Sequence, residues 1–299
     1  MRSTIIAIAY SGLLLLGTSL ASPGCGREQP SQPASPARSK QTGAAEARQI
    51  LEAMVERYRN MESYRDVETA HVETEQVKST MRQTNTEKVS ILKLAYRKPG
   101  SFSVDLFVES PEGTPEEFIR CDGTTLWECA KNHLVPEGPP INVVGRKRSA
   151  PQNPQEWADA LTFFSGGDVS GIPFLIFQGQ DILSRWDPPT LIGARTRHGK
   201  ECWLIRLHGT EPVSREAQSH DITCDLYIEK DTGLLLESDV EGRLVIAEES
   251  GEVTISRGTL THSQVEVNPT LPDSLFTYQQ PKDAHVVSET QTKPAKPAQ

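Results

Sequence analysis

The stretch Leu92-Lys-Leu-Ala-Tyr-Arg-Lys-Pro-Gly-Ser-Phe-Ser-Val-Asp-Leu-Phe-Val-Glu-Ser110 decides the fold, together with Glu116-Glu-Phe-Ile-Arg-Cys-Asp-Gly-Thr-Thr-Leu-Trp127 just after it. Apolar residues alternate with polar ones through Leu92, Leu94 and Tyr96, and again through Phe102, Val104 and Leu106. A period of two marks half-buried strands, and Lys98-Pro99-Gly100-Ser101 supplies the turn between them. Phe118 to Arg120 is a third strand that runs into Asp122-Gly123, a strong hairpin signal, and returns through Leu126 and Trp127. The middle of the chain therefore reads as an antiparallel meander with one apolar face. Such a meander wraps a core or curls into a concavity that something else fills.

Upstream, the period changes to 3.6. Ile50, Leu51, Met54, Val55, Tyr58 and Met61 share one side, and Glu52, Glu56, Arg57 and Arg59 the other, which predicts an amphipathic helix lying on the sheet. Tyr64 to Val77 alternates through Val67, Thr69, His71 and Glu73 as a first strand, and Lys88 to Tyr96 is the second. Downstream, His133 to Pro154 is rich in Pro and Gly and reads as a loop that carries Arg146-Lys147-Arg148. Asn153 and Pro154 cap and open a short helix that runs through Phe163 and Phe164. Pro173 to Phe177 is an unbroken apolar segment, and Ile182 to Trp186 makes a further helical turn. The last third returns to strands over Leu191 to Thr196, Glu201 to His208, Ile222 to Glu229, Leu234 to Asp239, Glu252 to Thr261 and Ser263 to Val267. Asn268 to Gln280 closes the domain.

An aliphatic strand, a basic residue followed by Pro99-Gly100-Ser101-Phe102, a second strand and then Asp122-Gly123-Thr124-Thr125-Leu126-Trp127 resembles the periplasmic LolA/LolB-like lipoprotein carriers. The early helix, Gly171-Ile172-Pro173-Phe174-Leu175, the strand-turn Leu226 to Gly233 and the closing Leu275 to Pro281 fall in the same order. The resemblance covers about Ala44 to Val287. It implies an α+β fold, mainly antiparallel β: an incomplete, half-open barrel whose concave face is covered by helices. It implies acyl chains of lipoproteins or lipids as ligands, with Leu92, Leu94, Phe102, Val104, Leu106 and Trp127 as lining residues and Tyr58 and Phe174 as lid residues. Lys98 stands where the carriers have an arginine. A planar guanidinium can hold two carbonyls and an ammonium is a point donor, so Lys98 is expected to close the lid less firmly. The same fold also serves an alternative role, as an envelope sensor or scaffold that binds a protein partner.

Charge and composition narrow the classes. The 299 residues are 36% hydrophobic and 24% charged, with a formal net charge of −9. That acidic balance, with a pI near 5.4, disfavours nucleic acid, whose phosphates require clustered Lys and Arg. Arg2 and the apolar Ile5 to Leu16 read as an export signal over residues 1–24, too short for a stable span. Two processing readings stand side by side. Ser19-Leu20-Ala21 suits an ordinary signal peptidase and a soluble product, while Gly24-Cys25-Gly26 suits acylation of Cys25 as a membrane anchor. Ser22 stands where the lipoprotein pattern has leucine. Residues 25–43 read as a disordered tether, 44–287 as the folded domain and 288–299 as a disordered tail.

Four further cysteines, Cys121, Cys129, Cys202 and Cys224, suggest two disulfides in an exported chain, with three connectivities open and free buried thiols as the alternative. His220, Cys224, Cys202 and His208 lack paired metal-ligand spacing, and Cys202 and His208 lie about 20 Å apart along one strand. The sequence carries no Gly-x-Ser-x-Gly elbow, phosphate loop or His-Glu-x-x-His. No metal, cofactor or catalytic residue is implied.

Overall fold

The alternating segments hydrogen-bond into a single sheet. It is seen in a computed structural model that describes residues 37–78, 81–108, 110–113, 115–130, 144–150, 172–177, 181, 183–184, 186–211, 217–246, 252–278 and 285–288. Its strands are β1 (Ser63–Lys78), β2 (Met81–Arg97), β3 (Ser101–Val108), β4 (Glu117–Asp122), β5 (Thr125–Ala130), β6 (Val144–Ser149), β7 (Thr190–Arg197), β8 (Lys200–Glu211), β9 (Ala217–Glu229), β10 (Leu235–Ile246), β11 (Glu252–Val267) and β12 (His285–Ser288). Their order is β12-β6-β5-β4-β3-β2-β1-β11-β10-β9-β8-β7. Neighbours run antiparallel except β12, which lies parallel to β6. The end strands do not pair with each other, so the sheet is an unclosed barrel.

Helix α1 (Ala37–Arg59) lies inside the curl. Ala47, Leu51, Met54, Val55 and Tyr58 form one buried stripe and pack in one cluster with Leu92, Val104 and Leu126 from one half of the sheet and Leu207 and Leu226 from the other. One helix touching both halves requires the sheet to bend around it. Leu51, Met54 and Val55 each contribute about 1.5–3 kcal/mol when fully buried. Arg57 and Arg59 occupy the last turn, where cations offset the helix dipole. This is the half-open barrel with a helix on its concave face that the carrier resemblance implies.

The β2–β3 pair matches its reading residue by residue. Tyr96 faces Phe102, Leu94 faces Val104 and Leu92 faces Leu106 across β2 and β3. The turn between β2 and β3 uses Gly100 at φ 114, and the β4–β5 hairpin uses Gly123 at φ 93, a region that L side chains avoid. Asp122 completes that hairpin by accepting the Thr124 and Thr125 amides at 2.8 Å.

Four expectations shift. Helix α1 starts at Ala37, within the stretch read as tether. Arg146-Lys147-Arg148 lies on β6 rather than in a loop, because this segment pairs with both β5 and β12. Glu252 to Val267 is one strand, and its apparent break is a bulge: register against β1 shifts between Arg65 and Val67, with Gln264 at φ 51. All four cysteines are free and buried. Strand parity excludes a bridge between neighbours in sequence: Cys121 pairs with Phe102 on the concave face, whereas Cys129 pairs with Phe118 on the other. Cys224 pairs with Leu207 on the concave face, and Cys202, five residues from Leu207 on β8, points away. The export signal, Cys25 and the short helix expected over Asn153 to Phe164 lie outside the described residues.

The chain after β11 wraps the outside of the sheet. Leu271 and Phe276 bury against Ala95. Arg97 donates to the Leu271 carbonyl at 3.2 Å, pairs with Asp273 at 2.7 Å and lies over the Phe276 ring at 4.7 Å.

Candidate functional site

Strand alternation places Leu92, Leu94 and Tyr96 on the concave face, beside Phe102, Val104 and Leu106. All six are buried in the same cluster as α1. Ile119, Cys121 and Leu126 extend the apolar surface across β4 and β5, and Ile205, Leu207, Cys224, Leu226 and Ile228 complete it from β8 and β9. The concave face is filled, and β1, β11 and β10 lie between its two apolar halves. Its plug is α1 together with α2 (Ile172–Phe177), which contributes Ile176 and Phe177. A cleft of about 100 Å³ beside α1 is lined by Arg48, Leu51, Leu183, Trp186 and Leu207 among others.

Aromatic rings hold the plug to the sheet. Phe177 of α2 stacks on Tyr96 with centroids 4.2 Å apart and meets Tyr64 at 5.2 Å and Tyr58 at 5.8 Å. Tyr96 in turn packs on Phe102 at 5.0 Å. Offset and edge contacts of this kind add about 0.5–1.5 kcal/mol each beyond area burial. Tyr58 is fully buried within α1 and its hydroxyl accepts the Leu235 amide at 3.3 Å. Phe174 falls on α2, and its side chain lies outside the described ones.

Trp127 requires correction. It pairs with Arg120, one residue from the inward Cys121, so it points to the outer face. There it packs on Tyr278 of the wrapping segment at 5.2 Å, and Lys147 sits over its ring at 5.2 Å. The inward neighbour of Trp127 is Leu126, which pairs with Cys121. Apolar character at adjacent positions hides parity, because both faces of β5 are covered.

Lys98 sits at the β2–β3 turn. Its amide donates to the Glu62 carbonyl at 2.9 Å, and its ammonium pairs with the Glu62 carboxylate at 3.2 Å, just beyond the end of α1. The cation thus touches the link between helix and sheet, with a mostly exposed partner. Lys98→Ala is expected to change stability by under about 0.5 kcal/mol, measured by urea unfolding, since exposed ion pairs are worth little.

The sequence reading missed the buried polar residues of this face. Tyr64, Asp66 and Glu68 all point inward from β1, and His262 faces Glu68 from β11. Tyr64 donates to Asp66 Oδ2 at 2.9 Å, and His262 Nδ1 lies 2.8 Å from the same oxygen. The Glu68 carboxylate is 3.9 Å from His262 Nδ1. Relative exposures are 1% for Asp66, 4% for Glu68 and 3% for His262. Burial pushes Glu68 up to about 7; His262 opposes the rise and Asp66 adds to it. For His262 burial disfavours charge, but the Asp66 hydrogen bond and the charges of Glu68 and Asp66 outweigh it and raise the pKa. Burial also raises Tyr58 and Tyr64, so both phenols stay protonated. The missed signal was the spacing Tyr64-x-Asp66-x-Glu68, a polar set at inward alternation.

The thiols offer no chemistry. Burial pushes Cys121 up to about 11 and Cys129 and Cys224 up to about 12, far from the thiolate form a nucleophile needs. On the outer face, a groove of about 600 Å³ is lined by His71, Arg206, Asp225, Asp239, Glu241 and Arg257 among others. Its arginines are engaged within it: Arg206 makes two 2.7 Å bonds to Asp225, and Arg257 pairs with Glu241 at 2.8 Å. Among the described residues, no helix is long and apolar enough to cross a membrane.

No protein-family model matches the chain, and no curated protein matches it. Solved structures do. A DUF1329 family protein from Desulfovibrio piger aligns with 79% of this chain and 98% of its own, at 10% identity and a TM-score of 0.30. Lipoprotein LppX from Mycobacterium tuberculosis aligns with 78% of this chain and 98% of its own, at 11% identity and a TM-score of 0.33. LprF from Mycobacterium bovis aligns with 76% of this chain and 96% of its own, at 14% identity and a TM-score of 0.35. Likeness at these scores carries no argument about function.

Proposed function

We propose that the chain is a non-enzymatic, envelope-located binding protein that takes acyl chains of lipids or lipoproteins on its concave face. The observation that carries this reading is the apolar lining of β2–β5 and of β8–β9, two halves of one concave face covered chiefly by one helix that joins the sheet through Asn60–Glu62. An acyl chain entering there would replace the side chains of α1 and α2. Each methylene buried there contributes about 0.8 kcal/mol, set against the burial that the displaced side chains lose. Leu92, Leu94, Phe102, Val104 and Leu106 would line the site, with Tyr58 and Phe174 on the cover. Acylation of Cys25 would hold the domain at the membrane on the periplasmic side. The alternative is a soluble periplasmic chain.

A second reading has its own observation. The concave face is filled by the protein's own Leu51, Met54 and Tyr58, as expected for a scaffold that uses its outer surface to bind another protein. Native mass spectrometry of the full chain, with a diacylated lipopeptide added, separates the two. One lipopeptide per chain, with protection lost along α1, is the expected result. A chain that stays bare at saturating lipopeptide removes the carrier reading and leaves the scaffold.

A further inference from the structure

The polar cluster inside the concave face is unusual for its place. Asp66 and Glu68 lie among Leu92, Leu94 and Tyr96 of β2, and no charged side chain of that strand points inward beside them. Among the described residues, Asp66 Oδ1 and Glu68 Oε1 are buried without a hydrogen-bond partner. A buried acceptor without a donor costs free energy, and the cost is greatest when the group is ionised. A proton on Glu68 removes that charge and supplies a donor. A proton on His262 supplies a cation between two acids.

The cluster is wired to the helix. Tyr58 of α1 accepts the Leu235 amide of β10 and interacts with Tyr64, and Tyr64 donates to Asp66, which also binds His262. Six groups on four elements thus meet at one polar seam: Tyr58 on α1, Tyr64, Asp66 and Glu68 on β1, His262 on β11 and the backbone of Leu235 on β10. Arg57 acts on Tyr58 from the helix, and Glu62 acts on the neighbouring Tyr96.

We propose that this seam is a proton-operated latch on α1: protons bound in the cluster hold the helix against the sheet, and their loss lets it lift. The latch rests on the reading of α1 as the cover of the ligand face, and names how that cover is controlled. The signs of the two titrations agree. In the open state, water reaches the cluster and Glu68 returns to its ordinary 4.5, whereas in the closed state it titrates near 7. Closure is therefore favoured below about pH 4.5, and that stabilisation is lost as pH rises to 7. His262, raised from 6.5, also stabilises closure at acid pH and loses that contribution as pH climbs through its raised value. Closing takes protons up from solvent, and opening returns them. Mild acid locks the cover, and mild alkali frees it.

Amide hydrogen exchange of the full chain, without lipid, tests this. Exchange at α1 is divided by the intrinsic rate at each pH, which leaves the opening constant. From Glu68 alone, that constant is expected to rise about 30-fold between pH 5.5 and 8. Glu68→Gln, which resembles the protonated acid and does not titrate, is expected to lose that share of the rise. A flat or falling opening constant in the parent overturns the latch. So does an undiminished rise in Glu68→Gln, or an equal rise at β8, which would mark general loosening. If Glu68→Gln does not fold, the His262 ring protons of the parent decide by nuclear magnetic resonance. A midpoint above 6.5 shared with the α1 amides supports the latch, and unrelated midpoints overturn it. The lipopeptide experiment fails separately: a chain that shows the rise yet ignores lipopeptide keeps the latch and loses the carrier reading.

Discussion

Truncating Phe102 to alanine is expected to lower the unfolding free energy by about 3–5 kcal/mol, the range for aromatic-to-alanine changes in a packed core. The ring is 1% exposed, packs on Tyr96 at 5.0 Å and faces the buried Cys121 across β3 and β4. Its removal opens a cavity on the surface where α1 and α2 seat. The loss is a large share of the 5–15 kcal/mol that holds an ordinary domain together. A drop in the urea midpoint at unchanged slope is the expected reading. An unmoved midpoint would mean that the plug refills the space. Aspartate at the same position is a poor probe of ligand binding. At a site this buried, an introduced carboxylate disrupts the core before it tests any ligand.

Asp66→Ala is expected to cost about 3–5 kcal/mol, because it removes one partner of a buried charged pair and leaves the others stranded. Asp66 Oδ2 accepts from Tyr64 and binds His262, and neither has a route to water at this depth. The deficit has a definite pH dependence. Burial disfavours the charged imidazole, and the Asp66 hydrogen bond is the first of the effects that reverse this. The stability supplied by the raised His262 is fully present below 6.5 and fades as pH rises through the folded value. Asp66→Ala is therefore most harmful near pH 5.5 and less so near pH 8.5, measured as unfolding free energies at the two pH values. A deficit that grows with pH would place the proton elsewhere in the cluster. Asp66→Asn keeps an acceptor and is expected to fall between parent and alanine variant.

How much of the architecture was legible follows from what each local signal can encode. Leu92, Leu94 and Tyr96, then Phe102, Val104 and Leu106, alternate so cleanly that strands, turn and inward face could all be read from spacing. Asp122-Gly123 announced its hairpin because the αL position admits few residues. The helix of α1 was legible for the same reason: only one stripe of it is apolar. Where both faces of a strand are covered, spacing stops informing. Trp127 and Leu126 look equally buriable, and the segment from Leu271 to Tyr278, wrapped on the outside, decides that the tryptophan faces out.

The amino-acid sequence by itself determined the mainly antiparallel meander, the amphipathic helix beside it and the apolar stripe they share. Period and turn chemistry are local properties, carried by residues a few positions apart. Only the tertiary structure decided that the concavity is filled by α1 and α2, that β6 is a strand and that Cys121 and Cys224 face inward while Cys129 and Cys202 face out. It alone also brought His262 to Asp66 across 196 positions, where two acids and an imidazole meet out of reach of water. A polar residue at an inward position announces neither its partner nor its burial. Both are set by which distant strand arrives beside it, and that is a property of the sheet order rather than of any segment.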